Sequence, residues 1–376
     1  MLKIMTLVGT RPELIKMSRV IAEFDRHTRH LLVHTGQNFD YELNQVFFDE
    51  LEIRKPDYFL EAAGENAART IGQVIIRTDE VLEKEQPQAL LVYGDTNSGL
   101  AVIAAKRRRI PVFHMEAGNR CFDQRVPEEL NRKLLDHLSD INLVLSEHAR
   151  RYLIAEGIRP ETIIKTGSHM HEVLDYYRPG ISHSDVLRRL GLEAGKYFAV
   201  SAHREENVDV SDNLTALVET FNALAVEYDY PVVVSTHPRT RKRLEELPPG
   251  TIHSQVRFEK PFGFFDYIRL QLDAHCVLSD SGTLTEEASL LNLPAIAIRN
   301  THERPEGMDA GTLIMSGLTK ERVLDAVRVV TLQHDRNRRV AAVPDYGSKP
   351  VSRQVLRVVM SYVAYVNRTV WSQTQH

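Results

Sequence analysis

Apolar residues along this chain follow two alternating rhythms. Short continuous runs such as Lys3–Val8 (KIMTLV), Ala89–Tyr93 (ALLVY) and Cys276–Ser279 (CVLS) read as strands buried on both faces. Between them apolar positions return every three or four residues. Leu14, Met17, Ile21 and Phe24 form one such stripe, which predicts a helix over Glu13–Phe24. Leu43–Leu51 and Ile71–Lys84 carry the same stripe. Further strands are expected at His30–His34, Val112–His114, Leu143–Leu145 and Ile163–Thr166. Strand and helix in alternation predict βαβ units and a parallel sheet. A polar stretch with Pro and Gly, Tyr177–Ser184, is expected to be a hinge. The rhythm then restarts, with strands at Tyr197–Ser201, Pro231–Ser235, Val256–Phe258, Cys276–Ser279 and Ala295–Ile298. A last helix is expected at Ser352–Asn367, far beyond the last strand. The fold class is therefore α/β. Two doubly wound, Rossmann-like domains, 1–176 and 177–351, are expected to face a cleft, because ligands bind at the carboxyl ends of such sheets.

Composition narrows the function. The 376 residues are 43% hydrophobic and 26% charged, enough to build two cores. A net charge of −4 offers no footprint for nucleic acid or for an acidic membrane surface. The basic run Lys106–Arg109 reads as charge that complements the end of a helix. The only two cysteines, Cys121 and Cys276, have no paired spacing, which suits a reducing compartment. The opening MLKIMTLVGTRP is too short in its apolar part for a signal peptide. Nothing approaches the ~18 apolar residues of a membrane span. The cytoplasm is the expected location.

Several strand ends carry more polar chemistry than a turn needs. In LVGTRPELIK, Gly9 permits a tight turn, Thr10 can cap and Pro12 suits a first helical turn, so Arg11 and Lys16 set positive charge near helix amides. In LVYGDTNSGL, Asp95 stands just past a strand. HMEAGNRCFDQRVPEELNR places Glu116 in a loop just beyond a strand. It then starts a helix at Pro127, expected to run to about Ser139 with Leu130, Leu134, Leu138 and Ile141 as its buried stripe. Glu128 and Arg132, four apart, are expected to pair on the opposite, exposed face. Such a pair is worth only about 0.3–0.5 kcal/mol, so stability is a poor reason for it. In VSAHREEN a strand ends in His203 and Arg204, and His237 in STHPRTRKR is placed similarly. In VLSDSGTLTEEASLL, Ser281, Gly282 and Thr283 offer amides and hydroxyls to a diphosphate, followed by Glu286 and Glu287. No Walker loop, G-x-S-x-G elbow or G-x-G-x-x-G turn occurs, and the H-x-H of His169 and His171 is too little for a metal site. No cofactor is expected.

Taken in order, GTRPELIK, GDTNS, HMEAGNR…PEELNR, AHREEN, SDSGTLTEEA and RNTHERPE resemble the non-hydrolysing UDP-N-acetylglucosamine 2-epimerases over nearly the whole chain. The resemblance implies a glycosyltransferase-B-like fold, a homodimer, and a C-terminal helix (352–376) that packs back on the first domain. It implies C2 epimerisation of a UDP-linked N-acetylhexosamine, by elimination of UDP to a 2-acetamidoglycal and re-addition. It implies Asp95, Glu116 and Glu128 as catalytic carboxylates, with His203 and Arg132 beside them. Arg11, Lys16, Arg204, His237 and Arg304 become substrate-binding residues. Ser281, Gly282, Thr283 and Glu287 become the UDP turn, with the glutamate on the ribose hydroxyls. EAGNRC, GDTN and DSGT depart from the family's EAGLRT, GDTT and DSGG. These departures resemble a branch acting on UDP-2-acetamido-2,6-dideoxy-L-hexoses. A glycosyltransferase on the same fold, a hydrolysing epimerase and a non-catalytic nucleotide-sugar sensor are the competing classes.

Overall fold

The computed structural model describes residues 1–36, 47–202, 211–236, 238–245, 247–301, 303–335, 342–347 and 349–373. They form two compact units, Met1–Tyr176 with Asp345–His376, and Tyr177–Pro344.

The first unit holds seven parallel strands: β1 (Lys3–Val8), β2 (Arg29–His34), β3 (Tyr58–Phe59), β4 (Ala89–Tyr93), β5 (Val112–Ala117), β6 (Ile141–Val144) and β7 (Ile163–Lys165), in the order β3-β2-β1-β4-β5-β6-β7. The order reverses direction between β1 and β4, the crevice where open α/β sheets bind ligands. The expected strands fall within a few residues of these. β3 was not anticipated, because two residues at a sheet edge carry no readable alternation. The expected helix at Leu43–Leu51 lies partly outside the described residues. Helix Arg11–His27 buries Leu14, Met17, Ile21 and Phe24. The C-terminal helix Val351–Thr369 buries Val351, Val355, Val359 and Val363, four apart, and packs on helix Arg11–His27. Lys106 in the basic run pairs with Asp140 at 2.5 Å and Arg108 with Asp79 at 2.5 Å, just at the end of helix Val102–Arg107.

The second unit has six parallel strands, β8 (Phe198–Ser201), β9 (Val232–Ser235), β10 (Val256–Glu259), β11 (Cys276–Ser279), β12 (Ala295–Ala297) and β13 (Ile314–Met315), ordered β10-β9-β8-β11-β12-β13. The two-residue β13 again escaped the pattern. β8, β9, β11 and β12 split their residues between two cores, one per face. Phe198, Val200, Val232, Val234, Cys276 and Leu278 join one cluster, while Ala199, Val233 and Val277 join the other. That is the two-residue period of a strand with both faces covered, and it explains the unbroken apolar runs. The stretch expected to be a hinge, Tyr177–Ser184, begins at the boundary of the two units and is largely helical over Arg178–His183, with Pro179 in its first turn where its missing N–H costs nothing.

Candidate active site

β4 and β5 are neighbours, with Tyr93 opposite Met115, so the residues that follow them leave the same edge of the first sheet. Two carboxylates stand there. Asp95 follows Gly94, whose φ of 67° is the left-handed turn that glycine takes at no steric cost. Glu116 lies inside β5 and not in the expected loop. Its φ is 65°, and the pairing with β6 slips between Met115 and Ala117, so this is a bulge. A non-glycine residue held there costs of order 1–3 kcal/mol and persists only if its surroundings over-determine it. They do. Lys16 Nζ, from helix Arg11–His27, is 3.0 Å from Glu116 Oε2, and the Tyr93 hydroxyl donates to the same oxygen. Asn119 Nδ2 reaches Oε1 at 3.5 Å.

Asp95 is held from the other side. Arg132 Nε and Nη2 both lie 2.8 Å from its Oδ2, and Asn131 Nδ2 donates to its carbonyl at 3.0 Å. Arg132 Nη1 donates to Glu129 Oε2 at 3.0 Å. Glu129 also accepts the amides of Cys121 and Phe122, at 3.0 and 3.1 Å. Burial alone would raise its carboxyl pKa, but the Cys121 amide and the Arg132 guanidinium outweigh burial and hold it below the usual range.

Helix Pro127–Leu138 therefore does not bury the leucine stripe its spacing suggested. Leu130 is 65% exposed and Leu134 40%, whereas Glu129, Asn131, Arg132, Leu135 and Asp136 are buried. Ile141 is buried as the first residue of β6, not as part of this helix. Arg132, expected on a solvent face with Glu128, is 3% exposed. The inward face of this helix is polar because the side chains it carries serve the strand tips. Glu128 sits half-buried in the first turn.

Two buried networks brace this edge. Glu13 Oε2 accepts the amide protons of Gly9 and Thr10, at 2.5 and 3.3 Å, and Oε1 accepts from Thr96 Oγ1 at 2.6 Å, tying the tip of β1 to the residue after Asp95. Full burial pushes the Glu13 carboxyl up to about 7 despite these donors. Beneath the site, His114 Nδ1 lies 2.9 Å from Asp136 Oδ1 and its Nε2 2.7 Å from the Gly94 carbonyl. Asp136 also accepts the Gly118 amide and Arg120 Nη1, and Arg120 continues to Glu156 at 2.6 Å. Glu13, Tyr93, His114, Arg120, Glu129, Asp136 and His169 were not singled out in sequence as part of this site. For Glu129 a signal existed: three apart from Arg132 is as good a helical spacing as four.

In the second unit, Ser281, Gly282 and Thr283 follow β11 and open helix Leu284–Leu291, with Thr283 at its N-cap and no capping bond from its side chain. The Ser281 amide donates to Ser279 Oγ at 3.0 Å and the Thr283 amide to Ser281 Oγ at 3.3 Å, so two amides of the expected anion cradle close the turn on itself. A Cβ at Gly282 would come within 2.1 Å of Glu303 Oε1, so any side chain there would displace that carboxylate. Glu287 is buried and accepts from Gln271 Nε2 at 2.9 Å. Arg304, fully buried, lies 3.1 Å from Glu286 Oε2. Arg11 stacks its guanidinium 5.7 Å over the Phe47 ring, in the first unit. His203, Arg204 and His237 lie outside the described residues. Among the described residues no group of three or more His, Cys, Asp or Glu is placed to hold a metal ion. No helix of the described residues is long and apolar enough to cross a membrane.

The chain can be set beside known proteins. A model of the UDP-N-acetylglucosamine 2-epimerase family matches residues 22–360. The solved UDP-N-acetylglucosamine 2-epimerase of Rickettsia bellii is 60% identical, with a TM-score of 0.93 over 99% of this chain and all of the other. The Methanocaldococcus jannaschii enzyme, solved with UDP-GlcNAc and UDP, is 32% identical, with a TM-score of 0.87 over 96% of this chain and all of the other. A UDP-2,3-diacetamido-2,3-dideoxy-D-glucuronate 2-epimerase of Pseudomonas aeruginosa is 34% identical over 89% of this chain and 94% of its own length. Two parallel-sheet units, a cation-gripped carboxylate edge and these likenesses over nearly the whole length place the chain in the non-hydrolysing UDP-N-acetylglucosamine 2-epimerase family, with its glycosyltransferase-B-like fold.

Proposed function

We propose that the protein inverts C2 of a UDP-linked N-acetylhexosamine, interconverting UDP-GlcNAc and UDP-ManNAc. The C2 proton of such a sugar is not acidic, since no carbonyl activates it. Removal of that proton is therefore coupled to departure of UDP from C1, giving a 2-acetamidoglycal. UDP then returns to C1 while a proton is delivered to the opposite face of C2. This route needs two proton-carrying groups and a means of stabilising the charge that develops on UDP.

The observation that carries the reading is the pair Asp95 and Glu116, at the tips of adjacent strands, each held by a buried cation. They are assigned to proton exchange at C2. Arg132 and Lys16 fix them, and Glu128 is assigned beside them by family resemblance alone. The Ser281–Thr283 turn, Glu287 and Arg304 are assigned to the nucleotide, with Arg11 as a further cation, and His203, Arg204 and His237 by family resemblance alone. That relatives were solved with UDP-GlcNAc supports the nucleotide sugar. A homodimer in the cytoplasm is proposed on the family's pattern.

A second reading keeps the chemistry and changes the sugar to UDP-2-acetamido-2,6-dideoxy-L-talose. Asn119 favours it. This polar residue replaces the family's leucine, is buried, and lies 3.5 Å from Glu116 Oε1, where it would meet a different sugar face. A relative named as an epimerase of a UDP-diacetamido-glucuronate supports a changed sugar.

Proton NMR in D₂O with each UDP-sugar tests both readings. Deuterium at C2 with the UDP-sugar intact is the expected result, and the sugar that exchanges faster names the substrate. Release of UDP in step with turnover would overturn the non-hydrolysing reading. Absence of exchange with either sugar would overturn both.

A further inference from the structure

Behind Glu116 lies a pair of side chains that no step above uses. The Tyr93 hydroxyl, which donates to Glu116 Oε2, also lies 2.9 Å from His169 Nε2. The two rings meet edge to face, centroids 5.1 Å apart and planes at 88°. Tyr93 is 4% exposed and His169 1%, so neither reaches solvent to trade these bonds for water. Lys16 Nζ completes the cluster, 3.0 Å from Glu116 Oε2 and 5.5 Å from the centre of the Tyr93 ring. Four segments thus meet in one cluster: the first helix, the end of β4, the bulge of β5 and the turn after β7.

The hydrogen count orders the pair. A tyrosine hydroxyl has one proton. Here it goes to the carboxylate, so the hydroxyl oxygen must accept at its other contact and His169 must present Nε2–H. The imidazole therefore fixes the direction of the hydroxyl, and the hydroxyl fixes the carboxylate. The need for this is local. Glu116 stands in a left-handed backbone conformation at a bulge, where the pairing with β6 slips.

We infer that Tyr93 and His169 are positioning residues, acting in series to orient the Glu116 carboxylate for proton exchange at C2. The inference rests on the reading that Glu116 works at C2. Geometry of this kind governs rate more than binding, because a misplaced reacting group loses the near-attack arrangement while the nucleotide remains held elsewhere.

The test compares kcat and KM for the UDP-sugar in four variants of the full-length protein, with thermal unfolding as the check on folding. Tyr93→Phe keeps the ring and removes one oxygen. It should lower kcat roughly 10–100-fold with KM within about twofold. His169→Leu should do the same, whereas His169→Gln, which still offers an N–H, should recover most of the rate. The double variant Tyr93→Phe/His169→Leu should be no slower than Tyr93→Phe, since groups acting in series are not additive. Should one single variant fail to fold, the other, with His169→Gln, makes the same comparison. Wild-type kcat in Tyr93→Phe or His169→Leu overturns the inference. So does a double variant slower by the product of the two effects, or a loss confined to KM. Glu116→Gln, assayed alongside, separates the two levels of the argument. If it abolishes turnover while Tyr93→Phe is unaffected, only the positioning role falls. If Glu116→Gln is fully active, the role of Glu116 falls and the inference with it.

Discussion

The carboxyl edge of the first sheet and the turn after β11 in the second are built from the same unit, a parallel strand that ends in a helix, yet they are furnished oppositely. The first is a lattice of charge. Asp95, Glu116, Glu129, Lys16 and Arg132 are paired across several elements, and one of them sits in a strained backbone conformation. The second is small and backbone-rich, Ser281-Gly282-Thr283, with its buried acids Glu286 and Glu287 set behind it in the helix. Proton exchange needs side chains held in place at a chosen charge state, which many partners supply. Holding a diphosphate needs amides and close approach, which small residues supply. On the proposed assignment, the two halves of one reaction are carried by different physics, and so should fail differently.

The largest effect should come from Asp95→Asn and Glu116→Gln. Each should lower kcat about 10²–10⁴-fold, the usual contribution of a positioned acid or base, and leave UDP affinity nearly unchanged by calorimetry. A loss of UDP binding instead would erase the contrast. Next is Asp136→Ala, which leaves the buried Arg120 with Glu156 as its one remaining carboxylate and takes the acceptor from His114 Nδ1 and the Gly118 amide. It should cost about 2–4 kcal/mol of stability in urea unfolding, because several buried donors, one of them charged, lose their acceptor. An effect below about 1 kcal/mol would mean that the charge lattice does not brace this edge. In the second unit, Glu287→Gln should weaken UDP by about 1.5–3 kcal/mol, roughly 10–150-fold, if the carboxylate accepts from the ribose diol, and should raise KM more than it lowers kcat. A pure kcat effect would place it with the first group.

The smallest effect sharpens the comparison through pH. Burial raises the Glu13 carboxyl from 4.5 to about 7. Between those values the native state binds the proton that the unfolded chain has lost, so stability falls as pH rises through this window and levels off above it. The expected loss is on the order of 1–3 kcal/mol. Glu13→Gln mimics the neutral acid, with its carbonyl for the Gly9 amide and its N–H toward Thr96. Its urea midpoint should change less between pH 5 and pH 8 than that of the wild type. Equal slopes would mean that Glu13 is ionised at little cost.

Much of the fold was legible in one sequence. β1, β4 and β11 match the expected runs residue for residue, because strands covered on both faces carry few polar residues. The edge strands β3 and β13 were not legible, since two residues of pairing are decided by a neighbour and not by a pattern. The instructive failure is helix Pro127–Leu138. A leucine every fourth residue pointed inward by rule, but the structure turns Leu130 and Leu134 outward and Arg132 and Asp136 inward. Amphipathic periodicity assumes that the buried face is apolar. Where a helix supports a site, buried pairing between charges reverses the pattern.

By itself, then, the sequence determined the alternation of strand and helix, the two parallel sheets, and the strand tips at which charged and small residues accumulate. These follow from neighbours in the chain, through periodicity and turn chemistry. Only the tertiary structure decided the partners. Arg132 takes Asp95 and Glu129, Lys16 reaches Glu116 across a hundred residues of chain, and His169 meets Tyr93 across seventy-six. A side-chain pair is a relation between two positions that strand order and register bring together, and nothing local to either residue encodes it.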